Sequence, residues 1–239
     1  MLYLVLAESA LELVPKKIAS HPSVVKYAKR RGKRPTEVLL DRSFHHKAML
    51  KLKDGWKRGR PDLVHFSLLE ATSIPLYFEG MLKVYVHTYT GEVIEVGEGV
   101  RLPKSYHRFV GLMEQLLKRG SVGGEEPLLR IVCRGFENLL NLIEPSKAVG
   151  LSRRGEPMKL GKLAETLSME ERPLLVIGGF PKGEFRDEIS SRLDGLYSVS
   201  KYALESHVVV ARALYEYERV KLNNEGGVNS EWRPSSSLD

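Results

Sequence analysis

Apolar positions recur along this chain at two different spacings, and the spacing changes from segment to segment. The run Leu2-Tyr3-Leu4-Val5-Leu6-Ala7 is unbroken, which predicts a strand buried on both faces. Ile18, Val24 or Val25, and Ala28 follow a helical spacing within a stretch from about Pro15 to Arg31. EVLLDRSFHHKAMLKL (37–52) reads as a short strand, an Asp41 cap and a helix. RPDLVHFSLLEATS (60–73) predicts a further helix, with Pro61 at its first position and Asp62 in its first turn. LKVYVHT and EVIEVGE alternate on either side of Tyr89-Thr90-Gly91, the pattern of a β-hairpin. PKSYHRFVGLMEQLLKRG places Phe109, Leu112, Met113 and Leu116 on one helical face and ends on Lys118-Arg119-Gly120.

The second half alternates more regularly. PLLRIVC, AVGLS, PLLVIGGF and GLYSVS read as strands, and FENLLNLI and GKLAETL as helices between them. A last helix over KYALESHVVVARALYEYERVK carries a stripe of Leu204, Val208, Ala211 and Tyr215. Strands alternating with helices predict an α/β protein with a mostly parallel sheet and helices on both faces. Residues 1–222 are expected to form a single domain. The Gly- and Ser-rich residues 223–239 are expected to be a flexible tail.

Composition narrows this picture only slightly. An apolar share of 42% in 239 residues is ordinary for a globular protein. The six-residue apolar opening is too short for a signal sequence or a membrane span. Cys133, the single cysteine, leaves no internal disulfide and no multi-cysteine metal site; it is expected to be a buried thiol in a cytoplasmic protein. Charge is more informative. The net charge is +7, and residues 1–60 hold 15 Lys/Arg against 5 Asp/Glu while the remainder holds 22 against 25. KYAKRRGKRP (26–35) carries six basic residues. Such a surplus favours a polyanionic partner. No amphipathic helix with aromatic anchors accompanies it, so nucleic acid is favoured over a membrane.

Several chemistries are missing. The seven histidines form no metal pattern, and there is no Walker motif, no G-x-S-x-G and no catalytic carboxylate pair. Two constellations remain. Arg60, Arg101, Lys104 and Arg108 are basic, with Lys104 and Arg108 four residues apart and Tyr106 between them for stacking. They suit phosphate binding at a helix start, or equally an ordinary solvated helix face. Asp62 could hold the Arg60 guanidinium or serve only the helix dipole. The second constellation is Gly178-Gly179-Phe180-Pro181-Lys182-Gly183 with VSKYAL (199–204), two strand ends that could meet at one pocket. Taken alone, the glycine loop is better read as a plain strand–helix turn.

Five segments taken together resemble the Nep/Emg family of ribosome-biogenesis proteins, members of the SPOUT superfamily of knotted methyltransferases. They are LLDRSFHHKAM, GRPDLVHFSLL, RLPKSYHRFVGLMEQLL, VIGGFPKGEF and VSKYALESHVVVARALYEYE, in order from the first strand to about Val220. The resemblance implies a C-terminal trefoil knot, an inserted β-hairpin extension around residues 76–103, and a homodimer packed through the knot. It implies S-adenosylmethionine as cofactor, bound by Gly178, Gly179, Phe180, Gly183, Ser198, Val199, Ser200, Tyr202, Ala203 and Leu204. It makes Arg60, Arg101, Lys104 and Arg108 RNA contacts, and Asp62 the residue that orients Arg60; a carboxylate held against a guanidinium is a poor general base. Many relatives carry Arg where this chain has Lys104, which keeps the charge but loses the bidentate fork. The implied reaction methylates N1 of a pseudouridine in small-subunit ribosomal RNA. Further implied partners are ribosomal proteins or assembly factors. The competing reading is a non-catalytic RNA-binding assembly factor with a vestigial pocket; a nucleotide-hydrolysing module ranks last.

Overall fold

The computed structural model describes residues 1–225. The elements in chain order are β1 (Leu2–Ser9), α1 (Pro22–Arg30), α2 (Arg42–Met49), α3 (Pro61–Ala71), α4 (Pro75–Phe78), β2 (Leu82–Thr88), β3 (Glu92–Val96), α5 (Tyr106–Arg119), β4 (Ser121–Gly123), β5 (Pro127–Arg134), α6 (Phe136–Ile143), β6 (Lys147–Pro157), α7 (Leu160–Ser168), β7 (Pro173–Gly178), α8 (Asp187–Ser190), β8 (Gly195–Ser198) and α9 (Ser206–Glu225). The helix α9 thus continues three residues past the expected start of the tail; the rest of that tail, 226–239, lies outside the described residues.

Eight strands form one sheet in the order β4-β5-β3-β2-β1-β7-β6-β8. Five neighbours, from β2 to β8, are parallel, and β3, β5 and β4 add antiparallel pairs at one side. The alternation of side chains along each strand sorts the core into two layers. Leu4, Leu6, Val84, Val149, Leu175 and Ile177 pack with Val64 and Leu68 of α3, Phe109 of α5, Leu163 of α7 and Leu214 of α9. Val5, Ala7, Tyr85, Leu174 and Val176 face the other way, against Phe136 and Leu139 of α6 and Ile189 of α8. Helices therefore cover both faces, which is why β1 and β7 are apolar almost without interruption. A third, smaller cluster gathers α1, α2 and the chain from Val14 to Leu40.

Several local expectations need correction. The Pro15–Arg31 stretch divides into a single turn at Lys16–Ile18 and α1, because Pro22 can open a helix but not sit inside one. The short strand at 37–40 contributes only an isolated bridge, Leu13 to Leu39. β6 is eleven residues long rather than the five of AVGLS. The stripe expected on α9 is displaced: Leu204 precedes the helix, Tyr215 is exposed, and Val210, Ala213, Leu214 and Tyr217 are the buried positions. So many apolar residues crowd this helix that its period alone did not select a face. Lys104 lies ahead of the Ser105 cap of α5, so it and Arg108 do not share one helical ridge. Cys133 lies on β5 as expected but is only partly buried.

Candidate active site

Parallel sheets carry their ligands beyond the carboxyl ends of the strands, and here those ends are adjoining. Ala7 pairs with Gly178, Ile177 with Leu151, and Leu151 with Tyr197. After Leu151 the β6–β8 register breaks until Glu156, and the released residues Ser152, Arg153 and Arg154 swing toward the loops above. A cavity of about 580 Å³ opens there, a size typical of cofactor sites. Its walls come from residues within three stretches, 151–154, 177–185 (all but Gly179) and 197–206 (all but Lys201), with Val209 of α9 behind.

Of the ten residues expected at a cofactor, Gly178, Phe180, Gly183, Ser198, Val199, Ser200, Tyr202, Ala203 and Leu204 line this cavity. Gly179 does not. Its N–H donates to the Ala7 carbonyl (2.9 Å) and its carbonyl accepts from Ala10 N–H (2.8 Å). A Cβ there would collide with Ser9, so this glycine permits close backbone approach to the end of β1. The two loops are also joined directly, since Ser206 Oγ donates to the Gly178 carbonyl at 2.6 Å. Tyr202 N–H donates to Ser200 Oγ at 3.0 Å and shapes the turn before α9.

Beneath the glycine loop is a buried charge cluster that sequence reading missed. Glu8, at the end of β1, is fully buried and adopts φ 48°, an uncommon conformation for a non-glycine residue. Its carboxylate meets Lys57 Nζ at 2.6 Å and Arg186 Nε at 3.0 Å, and also accepts from Arg186 N–H at 3.2 Å. Lys57 Nζ further donates to the Glu184 carbonyl (2.7 Å) and lies 4.0 Å from the Phe180 ring centroid. Next door, Arg58 makes a two-pronged pair with Glu12 at 2.6 Å on both arms. Burial pushes the Glu12 carboxyl up, and Arg58 opposes that shift. Arg58 and Arg186 both approach the Tyr89 ring, at 4.5 and 4.3 Å. His87, whose Nδ1 accepts from Glu8 N–H at 3.3 Å, is lowered to about 4 by burial and by the Arg186 charge. Segment 53–60 is thereby fastened to the loop that walls the cavity. Only the pairing of Glu8 and Glu12 with a dense basic stretch hinted at this; their partners lie 46 to 178 residues away.

That same segment delivers Arg60. Its N–H donates to the carbonyl of Ala10 (3.2 Å), the residue whose own N–H meets the Gly179 carbonyl. The guanidinium is gripped by Asp62: Nε lies 2.9 and 3.1 Å from the two carboxylate oxygens, and Nη2 lies 2.8 Å from Oδ2. About a third of each side chain stays exposed. The loop carrying Arg101 and Lys104 is pinned to α3 by His65, whose Nε2 pairs with the Pro103 carbonyl at 2.7 Å and whose ring stacks on Phe109 at 4.3 Å. Burial lowers the His65 pKa, which favours the neutral ring as donor. Arg101, Lys104 and Arg108 are exposed. Tyr106 is half-buried, its ring packed against the core and its hydroxyl donating to Asp41 Oδ2 at 2.6 Å. Adjacent His45 and His46 point apart: His45 is buried and accepts from Asp41 N–H, while His46 is exposed.

The cavity suits an adenosyl amino acid. Ile177, Val199, Leu204 and Val209 give apolar walls, Arg153, Arg154 and Lys182 can meet a carboxylate, and Glu184 and Glu205 can meet positive charge. A model of the EMG1/NEP1 methyltransferase family matches residues 4–218. The chain is 45% identical over 218 residues to the ribosomal RNA small subunit methyltransferase Nep1 of Thermococcus onnurineus, covering 91% of this chain and 98% of that one. It is 44% identical over 219 residues to the protein of the same name from Staphylothermus marinus, covering 91% and 95%. The solved structure of Archaeoglobus fulgidus Nep1 bound to S-adenosylhomocysteine superposes with a TM-score of 0.82 at 38% identity, covering 92% of this chain and 98% of that one. With the match running from β1 into α9, and the motifs that suggested it lying around the cavity and along α3 and α5, the chain belongs to the EMG1/NEP1 methyltransferase family.

Proposed function

We propose that this protein transfers a methyl group from S-adenosylmethionine to N1 of a pseudouridine in small-subunit ribosomal RNA. The observation that carries the proposal is the 580 Å³ cavity at the strand ends, in a chain whose fold matches a Nep1 bound to S-adenosylhomocysteine. When bound, the cofactor brings a methyl group on a positively charged sulfur that is already a strong electrophile. The chain must then bind, orient and exclude water. Gly178, Phe180, Gly183, Ser198, Val199, Ser200, Tyr202, Ala203 and Leu204 hold the donor. Gly179 acts indirectly, by fixing the loop to β1.

Arg60, Arg101, Lys104 and Arg108 hold the RNA backbone, with Arg60 closest to the cavity through the Ala10–Gly179 link. Asp62 orients Arg60. Both its oxygens face that guanidinium, which argues for positioning rather than for taking the N1 proton. Alignment of this kind accounts for several kcal/mol of rate enhancement in general. The same reading proposes a trefoil knot in the C-terminal region, a homodimer packed through that region, and an extension at 76–103. Support for the extension is the antiparallel pairing of β2 with β3 inside that range. The reading further proposes a cytoplasmic protein that assists small-subunit assembly alongside ribosomal proteins or assembly factors; among the described residues no helix is long and apolar enough to cross a membrane. Titration calorimetry with S-adenosylmethionine and no RNA tests the donor site. Saturable one-to-one binding is expected, and RNA binding without cofactor binding would favour a non-catalytic assembly factor.

A further inference from the structure

Trp56 stands out among the exposed large hydrophobic residues because of what it rests on. It is 49% exposed, and part of its indole packs on Gly183 so closely that a Cβ there would clash with the ring. Gly183 has φ 102°, and it lines the cavity. The indole therefore packs directly on a residue of the cavity wall, and the same segment, 53–60, carries Arg60. Its seat is rigid. Gly55 accepts from Arg42 Nη2 at 2.5 Å, Lys57 is buried against Glu8, and Arg58 is clamped by Glu12 while its Nη1 donates to the Lys53 carbonyl. Among the described residues no ring or cation covers the exposed indole surface. Lys51 and Lys53, five and three residues before it, and Lys182, next to Gly183, are exposed and have no carboxylate partner among the described residues.

An uncovered flat ring on a fixed base, with unpaired lysines close by in the chain, is the arrangement on which single-stranded nucleic acids stack. We propose that Trp56 is a stacking platform for a nucleobase neighbouring the methylated nucleotide, held while that nucleotide enters the cavity mouth. The proposal rests on the RNA-methyltransferase reading above. Lysines alone would attract any polyanion; the indole selects a flat, unpaired base.

The chain has two tryptophans, so Trp232→Phe leaves Trp56 as the sole indole reporter. Single-stranded oligouridylate should quench its fluorescence saturably, and polyglutamate at equal charge should not. Trp56→Leu, which still fills the space over Gly183, should weaken oligouridylate binding about fivefold to about 150-fold, the range for loss of one stacked base. Trp56→Phe should recover most of that loss, and both variants should bind S-adenosylmethionine within about twofold of wild type. Wild-type RNA affinity in Trp56→Leu, equal quenching by polyglutamate, or joint loss of cofactor and RNA affinity would each overturn the assignment, the last by making the indole a loop-packing residue. A wild-type protein that binds cofactor but no RNA would instead overturn the broader reading, and this assignment with it.

Discussion

Replacing Lys57 with Met tests whether the buried charges under the glycine loop hold it in place. Lys57 and Glu8 expose 4% and 1% of their side chains, so solvent screens the pair little. The substitution removes two charge-assisted contacts, to Glu8 at 2.6 Å and to the Glu184 carbonyl at 2.7 Å, and the ammonium over Phe180. Removing one partner of a buried pair costs about 3–5 kcal/mol. Glu8 keeps Arg186 at 3.0 Å, so the lower end applies, about 3 kcal/mol. At roughly 2–4 °C per kcal/mol for a chain of this size, Tm should fall by about 6–12 °C in calorimetric unfolding. Because Glu184 and Phe180 line the cavity, the affinity for S-adenosylmethionine should also fall, by about tenfold if half of that energy is felt by the loop. Adding Glu8→Gln removes the stranded carboxylate, and the double variant should be more stable than the sum of the single losses, with a coupling of about 1–3 kcal/mol. A Lys57→Met protein within 1 °C of wild type, or a coupling near zero, would show that these charges do not organise the loop.

Other consequences concern the RNA side, the loop and pH. Asp62→Asn should lower methyl transfer by about a hundredfold through misplacement of Arg60, with cofactor affinity unchanged in calorimetry; loss of cofactor binding would contradict the placement. Gly183→Ala is strained at φ 102° and presses on Trp56, so cofactor affinity in calorimetry and RNA affinity in filter assays should both fall; wild-type values for both would contradict the close packing. His87 titrates near 4 when folded and near 6.5 when unfolded. The unfolded chain therefore binds the extra proton between those values, so stability from this group is complete above about pH 6.5 and declines as pH falls toward 4, by about 3 kcal/mol. His87→Gln should flatten the urea-derived stability difference across that window; parallel curves would refute it.

The parallel core and the α3 and α5 helices were legible because their signals are local. Pro61 and Asp62 mark a helix start, Asp41 caps α2 by accepting from Ser43 N–H, and Gly120 ends α5 in the left-handed conformation. The glycine loop's chemistry was not local. Nothing in IGGFPKGEF shows that Gly179 faces Ser9 rather than the cavity, because that depends on where β1 ends. Glu8, Lys57 and Arg186 are unremarkable singly; the β1–β7 pairing brings the ends of those two strands together, and segment 53–60 folds over them to add Lys57. Elements of three or four residues, such as β4, α4 and α8, are too short for a period to show. Lys104 misled because a four-residue spacing was assigned to a helix that starts later.

The most direct test is mass mapping of small-subunit RNA from cells with and without this protein, followed by rescue with purified protein and labelled S-adenosylmethionine. Loss of one methylated pseudouridine, restored on that RNA by wild type and not by Arg60→Ala, is the predicted result. An unchanged methylated-pseudouridine signal in the deletion strain would contradict the account.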